Sequence, residues 1–216
     1  MLIAEEYLLV TAHKDGADRV GTRDLAMAGA LLAELTTLER LSLVGGRITV
    51  VDATSTGDDL LDEALTRFAA RKGRSIADVL DEVGQGLPEL VLARMARGEL
   101  MQERTTRVLG LRMFSTWHPV DPAQQAQLRE KLLFVLAGRR PVDSRSGTLV
   151  SLLLATWALA EALPKEARAG MKLGDLERSA THISQGRWAA EAVADVIEAA
   201  ASAAAGAAAA ASAGGA

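Results

Sequence analysis

Through most of the chain apolar residues recur at i, i+3, i+4 and i+7, the spacing that predicts helices with one buried face. Over residues 22–40 the stripe is Leu25, Ala28, Leu32 and Leu35. Over 58–72 it is Leu61, Ala64, Leu65 and Phe68, and over 75–83 it is Ile76, Val79, Leu80 and Val83. Ser75, with Asp78 three residues on, reads as a capping box with Asp in the place of Glu. A helix over 87–97 has Pro88 in its first turn and Gly98 just past its end, where each is favoured. The next, over 121–137, carries Leu128, Leu132, Val135 and Leu136 and stops at Gly138. Residues 143–163 are apolar almost all round, which predicts a central helix enclosed by the others. Helices over 175–184 and 187–203, broken by Gly186, complete the series, the last with Ala189, Val193, Val196 and Ile197 inward.

Two segments depart from that period. In LSLVGGRITVV a Gly45-Gly46 turn pairs Val44 with Arg47, Leu43 with Ile48, Ser42 with Thr49 and Leu41 with Val50. This register puts Leu41, Leu43, Ile48 and Val50 on one face, and Ser42 with Thr49 on the other. A longer hairpin is expected over 99–115, turning near Thr105-Thr106. Its apolar residues are Leu109, Leu111 and Met113 on one face and Val108 and Phe114 on the other. A two-stranded ribbon is marginal alone. One that is apolar on both faces is covered twice, by its own domain and by a second chain or a bilayer, unless its own helices cover both sides. Self-association is the favoured reading, with a homo-oligomer as the outcome.

The expected class is therefore all-α: a helical bundle around a central apolar helix, wrapped by amphipathic helices, with two short β-hairpins, one protruding. It forms one domain over 1–200, followed by an Ala-rich flexible tail over 201–216. At 49% hydrophobic residues a buried core is assured, but aromatics are only 3%, so stacking platforms for nucleic acid are not expected. With no cysteine there is neither a disulfide framework nor a thiolate site, and the reading is cytoplasmic. Glu5 and Glu6 stand where a secretory signal would be apolar. The apolar run 148–163 is shorter than the roughly 20 residues a bilayer span needs, so any membrane attachment is expected to be peripheral, at the inner face.

Net charge is −4, unevenly spread: −6 over 1–86, +4 over 87–145 and −2 over 146–216. Arg94 and Arg97 share a helix face, Arg104, Arg107 and Arg112 lie on the ribbon, and Arg139, Arg140 and Arg145 precede or open the central helix. Gathered together, they form a site for an anionic membrane lipid or acidic ligand, with Arg94, Arg97, Arg104, Arg107, Arg112 and Arg145 as its residues. Dispersed, they decorate a solvated face and pair with Glu99, Glu103 and Glu130. His13, His118 and His182 have no metal-ligand spacing, and neither a metal nor another cofactor is expected. Glu5 with Glu6, and Asp58 with Asp59, are adjacent and point to different helix faces, so neither is an acid/base pair. No nucleophile elbow or phosphate loop is present, and the reading is non-enzymatic.

The order of signals resembles the Golgi phosphoprotein 3 family over most of residues 2–200. It runs AEEYLLV, KDG, GALLAELTTLERLSL into a hairpin, ARGEL opening a second hairpin that ends in HPV, then RRPVDSRSGTLVSLLLATWALAEAL. The resemblance implies an all-α bundle with a protruding hairpin that serves self-association near the membrane face. It also implies a peripheral membrane protein that recognises phosphatidylinositol 4-phosphate and holds glycosyltransferases. The family's headgroup-binding tryptophan falls at Arg19, and its arginines fall at Ala28, Leu87 and Glu89. A phosphate monoester needs charge-assisted donors that these three do not supply. The Ala-, Arg- and Gly-rich composition is that of a high-GC bacterial protein. Two readings follow: a lipid-binding peripheral protein using the 87–145 face, or a soluble oligomeric adaptor or scaffold binding protein partners through the 99–115 hairpin.

Overall fold

The computed structural model describes residues 1–12, 22–108, 111–187 and 194–195, with the side chains of 77, 106–108 and 111–114 outside that description. The predicted last helix over 187–203 therefore lies almost wholly outside the described residues, and the 201–216 tail lies wholly outside them.

The described chain is mainly α, with two antiparallel hairpins. Its first element was not anticipated. Helix α1 (Ile3–Thr11) is buried along its whole length, Glu5 and Glu6 included. A helix enclosed on every side has no polar stripe, so its period is invisible in sequence. Helix α2 (Thr22–Thr37) buries an unbroken run from Leu25 to Leu32 as well as Leu35. Hairpin β1 (Leu41–Val44) and β2 (Arg47–Val50) has the register set by its Gly-Gly turn, Leu41 opposite Val50 through Val44 opposite Arg47, with Leu41 and Ile48 buried. Helices α3 (Asp59–Ala69) and α4 (Ile76–Gly84) follow, and the segment between them hydrogen-bonds to Ile48. Asp58 caps α3 through the N–H groups of Leu60 and Leu61. Ser75 occupies the N-cap of α4 but makes no side-chain capping bond, so its hydroxyl does not form the expected box.

Helix α5 (Leu87–Arg97) leads through Gly98 into strands β3 (Met101–Val108) and β4 (Leu111–Pro119). Val108 pairs with Leu111, and the two residues between them lie outside the described residues; Thr105 and Thr106, expected at the turn, pair instead with Ser115 and Phe114. Thr has high strand propensity, and two threonines beside arginines read as a polar loop only because the ribbon is solvated. A register shift between Thr106 and Arg107 bulges β4 at Met113.

Helix α6 (Pro122–Leu136), capped by Asp121, returns to the body, where Gln125 and Arg129 bond the last carbonyls of α1. Helix α7 (Ser144–Ala155) is buried from Ser146 to Leu153 and packs against α1, α2 and α6, as a central helix should. The expected helix over 143–163 is nevertheless broken. Trp157 takes φ +56°, its N–H donates to the Leu154 carbonyl and that of Ala158 to the Leu153 carbonyl, which closes α7 before α8 (Leu159–Ala162). The usual glycine is missing from this stop, so the sequence does not announce it. Helix α9 (Leu173–Ser184) lies against α7.

Candidate functional site

Among the described residues, the ribbon of β3 and β4 is anchored to the body at its root. Met101 is buried, Leu100 and Trp117 pack on the core, and β3 meets the body at α5. Beyond that root, Gln102, Glu103, Arg104 and Thr105 are exposed. The sheet has two strands, so the outer edge of each is unpaired among the described residues. The side chains of Arg107, Leu109, Leu111, Arg112, Met113 and Phe114 lie outside the described residues.

The remaining predicted arginines have different surroundings. Arg94 donates from Nε to Glu5 at 2.9 Å and from Nη1 to Asp58 at 2.6 Å. Arg145 donates from Nε to Glu6 at 3.1 Å, from Nη1 to Glu34 at 3.3 Å, and to the Met1 carbonyl. Both arginines thus bond α1 through two adjacent buried carboxylates. The first N–H groups of α1 belong to the same arrangement, Leu2 donating to Glu5 at 2.6 Å and Ile3 to Glu34 at 2.6 Å. Their acidic partners are Glu5, Glu6, Glu34 and Asp58, and none of Glu99, Glu103 or Glu130. Burial raises the Asp58 carboxyl, but the Arg94 bond and the N–H groups of Leu61 and Leu60 bring it below its ordinary value. Arg97 and Arg104 are exposed and hold no ion pair among the described residues. The imidazole of His118 is pushed down by burial and by the charge of Arg104. Arg139 and Arg140 are exposed beyond the end of α6.

Of the positions that correspond to a phosphoinositide site, Arg19 lies outside the described residues, and Ala28 and Leu87 are fully buried in the core. Glu89 is exposed beside Asp24, whose carboxyl is raised by burial and by the charges of Glu89 and Asp81, against a lowering by Arg23. This corner presents carboxylates where a phosphate monoester needs cations.

A groove of about 700 Å³ runs between α3 and α5, across the bridge from Arg94 to Asp58. Asp59, Leu60, Glu63 and Arg67 form one wall, and Leu90, Arg94 and Arg97 the other. Arg67 is fixed by Glu63 at 2.7 Å and by the carbonyls of Val83 and Gln85. In sequence only the Glu63 to Arg67 spacing of four hints at this wall.

Among the described residues, no helix is long and apolar enough to cross a membrane, and no cluster of side chains is suited to holding a metal ion. The family model described as Golgi phosphoprotein 3 matches residues 3–200. No curated protein matches the chain.

Proposed function

Since the chain belongs to the Golgi phosphoprotein 3 family, we propose that it is a non-enzymatic docking protein, an oligomeric adaptor whose ribbon binds a second copy of the chain. The observation that carries this reading is the open-edged ribbon. Eight or nine residues per strand at about 3.3 Å each reach roughly 26 Å from the root, and two strands alone are marginally stable. Pairing an outer edge with a second chain satisfies its free N–H and C=O groups and stiffens the arm. The test is light scattering on the full chain and on a variant in which residues 102–118 are replaced by a two-glycine turn. The full chain should exceed its 22.7 kDa monomer mass and the variant should not. A full chain that stays monomeric at every concentration refutes the reading.

A second reading, peripheral attachment to the anionic inner face of a cytoplasmic membrane, is favoured by Arg97 and Arg104, which stand exposed near the ribbon root and hold no ion pair among the described residues. It predicts flotation with phosphatidylglycerol vesicles, weakened by salt, and none with neutral vesicles. Equal recovery with both vesicle types counts against it. The carboxylates of Asp24, Asp81 and Glu89 argue against phosphatidylinositol 4-phosphate as the specific headgroup in either case.

A further inference from the structure

We propose that two copies of the chain join their ribbons through the outer edge of β3, antiparallel and about a two-fold axis at Thr105, into one continuous sheet. This rests on the self-association proposed above and adds to it the edge, the register and the residues that set them.

The backbone selects the edge. The Val120 N–H donates to the Leu100 carbonyl at 3.0 Å, so the directly bonded pairs of the ladder are the even-numbered ones, Gln102 with His118 and Arg104 with Thr116. Odd-numbered residues turn their backbone groups outward: Glu103 and Thr105 on β3, and Ser115, Trp117 and Pro119 on β4. Pro119 has no N–H to offer, and Trp117 packs on the core. Burial agrees, since Gln102, Glu103, Arg104 and Thr105 are exposed whereas Ser115, Trp117 and Pro119 are half-buried. The bulge also falls on β4 and leaves β3 an unbroken strand. The edge on which a further strand can be added is therefore that of β3.

Charge selects the register. From Met101 to Pro119 the ribbon carries Arg104, Arg107 and Arg112 against one carboxylate, Glu103, so two ribbons repel at long range. A register that sets opposite charges face to face offsets this. Outward groups meet only when odd-numbered residues face odd-numbered residues, so the two-fold axis passes through a residue. Centred on Glu103, Arg104 or Arg107, the pair sets like charges directly opposite. Centred on Thr106, it leaves Glu103 without a facing cation. Centred on Thr105, it places the Glu103 position opposite the Arg107 position of the second copy, and symmetry repeats the match. A carboxylate accepts from more than one donor, so this holds whatever Glu103 bonds within its own ribbon. Met101 then stands four residues from the axis in each copy, which sets the two roots roughly 26 Å apart and keeps the bodies clear of each other.

The chain has no cysteine, so single cysteines introduced into the full chain report the register directly. Thr105→Cys should form a disulfide-linked dimer under mild oxidation, because facing residues of a bonded pair lie about 5.5 Å apart, within disulfide range. Glu103→Cys sets its two thiols roughly 13 Å apart along the strands, and Ser115→Cys sets them roughly 14 Å apart across the sheet. Neither should cross-link more than Glu166→Cys, an exposed control outside the ribbon. In light scattering over a dilution series, Glu103→Arg and Arg107→Glu should each weaken dimerisation about tenfold, and the double variant should recover most of the loss. A parent that is dimeric while Ser115→Cys cross-links and Thr105→Cys does not overturns the β3 edge and leaves self-association standing. Cross-linking strongest at Glu103→Cys, or a double variant weaker than either single one, overturns the register. A dimeric parent whose ribbon cysteines all behave like the control overturns the edge and the register together. A parent that is monomeric at every concentration overturns this inference and the reading beneath it.

Discussion

Gly84 lies directly against the backbone of Asp24: a Cβ built on Gly84 would sit 2.5 Å from the Asp24 carbonyl oxygen and 2.7 Å from its carbon. Here α4 comes close to the backbone of α2, and a backbone atom cannot swing aside as a side-chain tip can. Gly84→Ala should therefore push the two helices apart and cost about 1–3 kcal/mol, read as a lower urea midpoint at unchanged slope. A variant as stable as the parent would show that α4 shifts freely.

Arg94 and Glu5 are 89 residues apart in sequence, and the Glu5 side chain is 4% exposed. Arg94→Met leaves this carboxylate with its Leu2 N–H partner but without its counter-charge. Removing one member of a buried pair costs more than replacing both, so the loss should be about 3 kcal/mol. Adding Glu5→Gln should restore part of it. Thermal melts of the two single variants and the double variant measure the coupling; simple additivity would mean that the pair does not couple.

Asp24 sets the sign of one pH effect. A carboxylate in the first turn of α2 gains from the helix dipole, but burial and repulsion from Glu89 and Asp81 win, and its folded value lies above the ordinary 3.8. The ionised form therefore opposes folding at neutral pH, and the penalty fades as pH falls through the raised value and below 3.8. Asp24→Asn should be more stable than the parent at pH 7 by about 0.5 kcal/mol, the scale of partly exposed charge pairs. Below pH 3.8 the two should melt alike. A variant less stable at pH 7 would reverse the assignment.

What was legible in sequence was whatever a local pattern carries. The register from Leu41 to Val50 could be read because a two-residue glycine turn and an alternating face agree. Helix α1 could not, because its polar residues Glu5 and Glu6 are buried and answered by arginines 89 and 139 residues away. The same long-range pairing keeps Arg94 and Arg145 from being free cations, although both stand in the basic stretch 87–145. The stop at Trp157 was hidden because a non-glycine residue adopts a left-handed conformation there. Of the groove, one wall left a trace in the spacing of Glu63 and Arg67, while its approach to α5 is a property of packing alone.

The ribbon supplies the most direct measurement. Amide hydrogen exchange on Met101–Val108 and Leu111–Pro119, taken at high protein concentration and after dilution, reports whether the outward-pointing amides acquire partners. A docking ribbon requires these amides to be protected when concentrated and to exchange freely when dilute. Outward amides that exchange at the same unprotected rate at every concentration would contradict self-association through this arm.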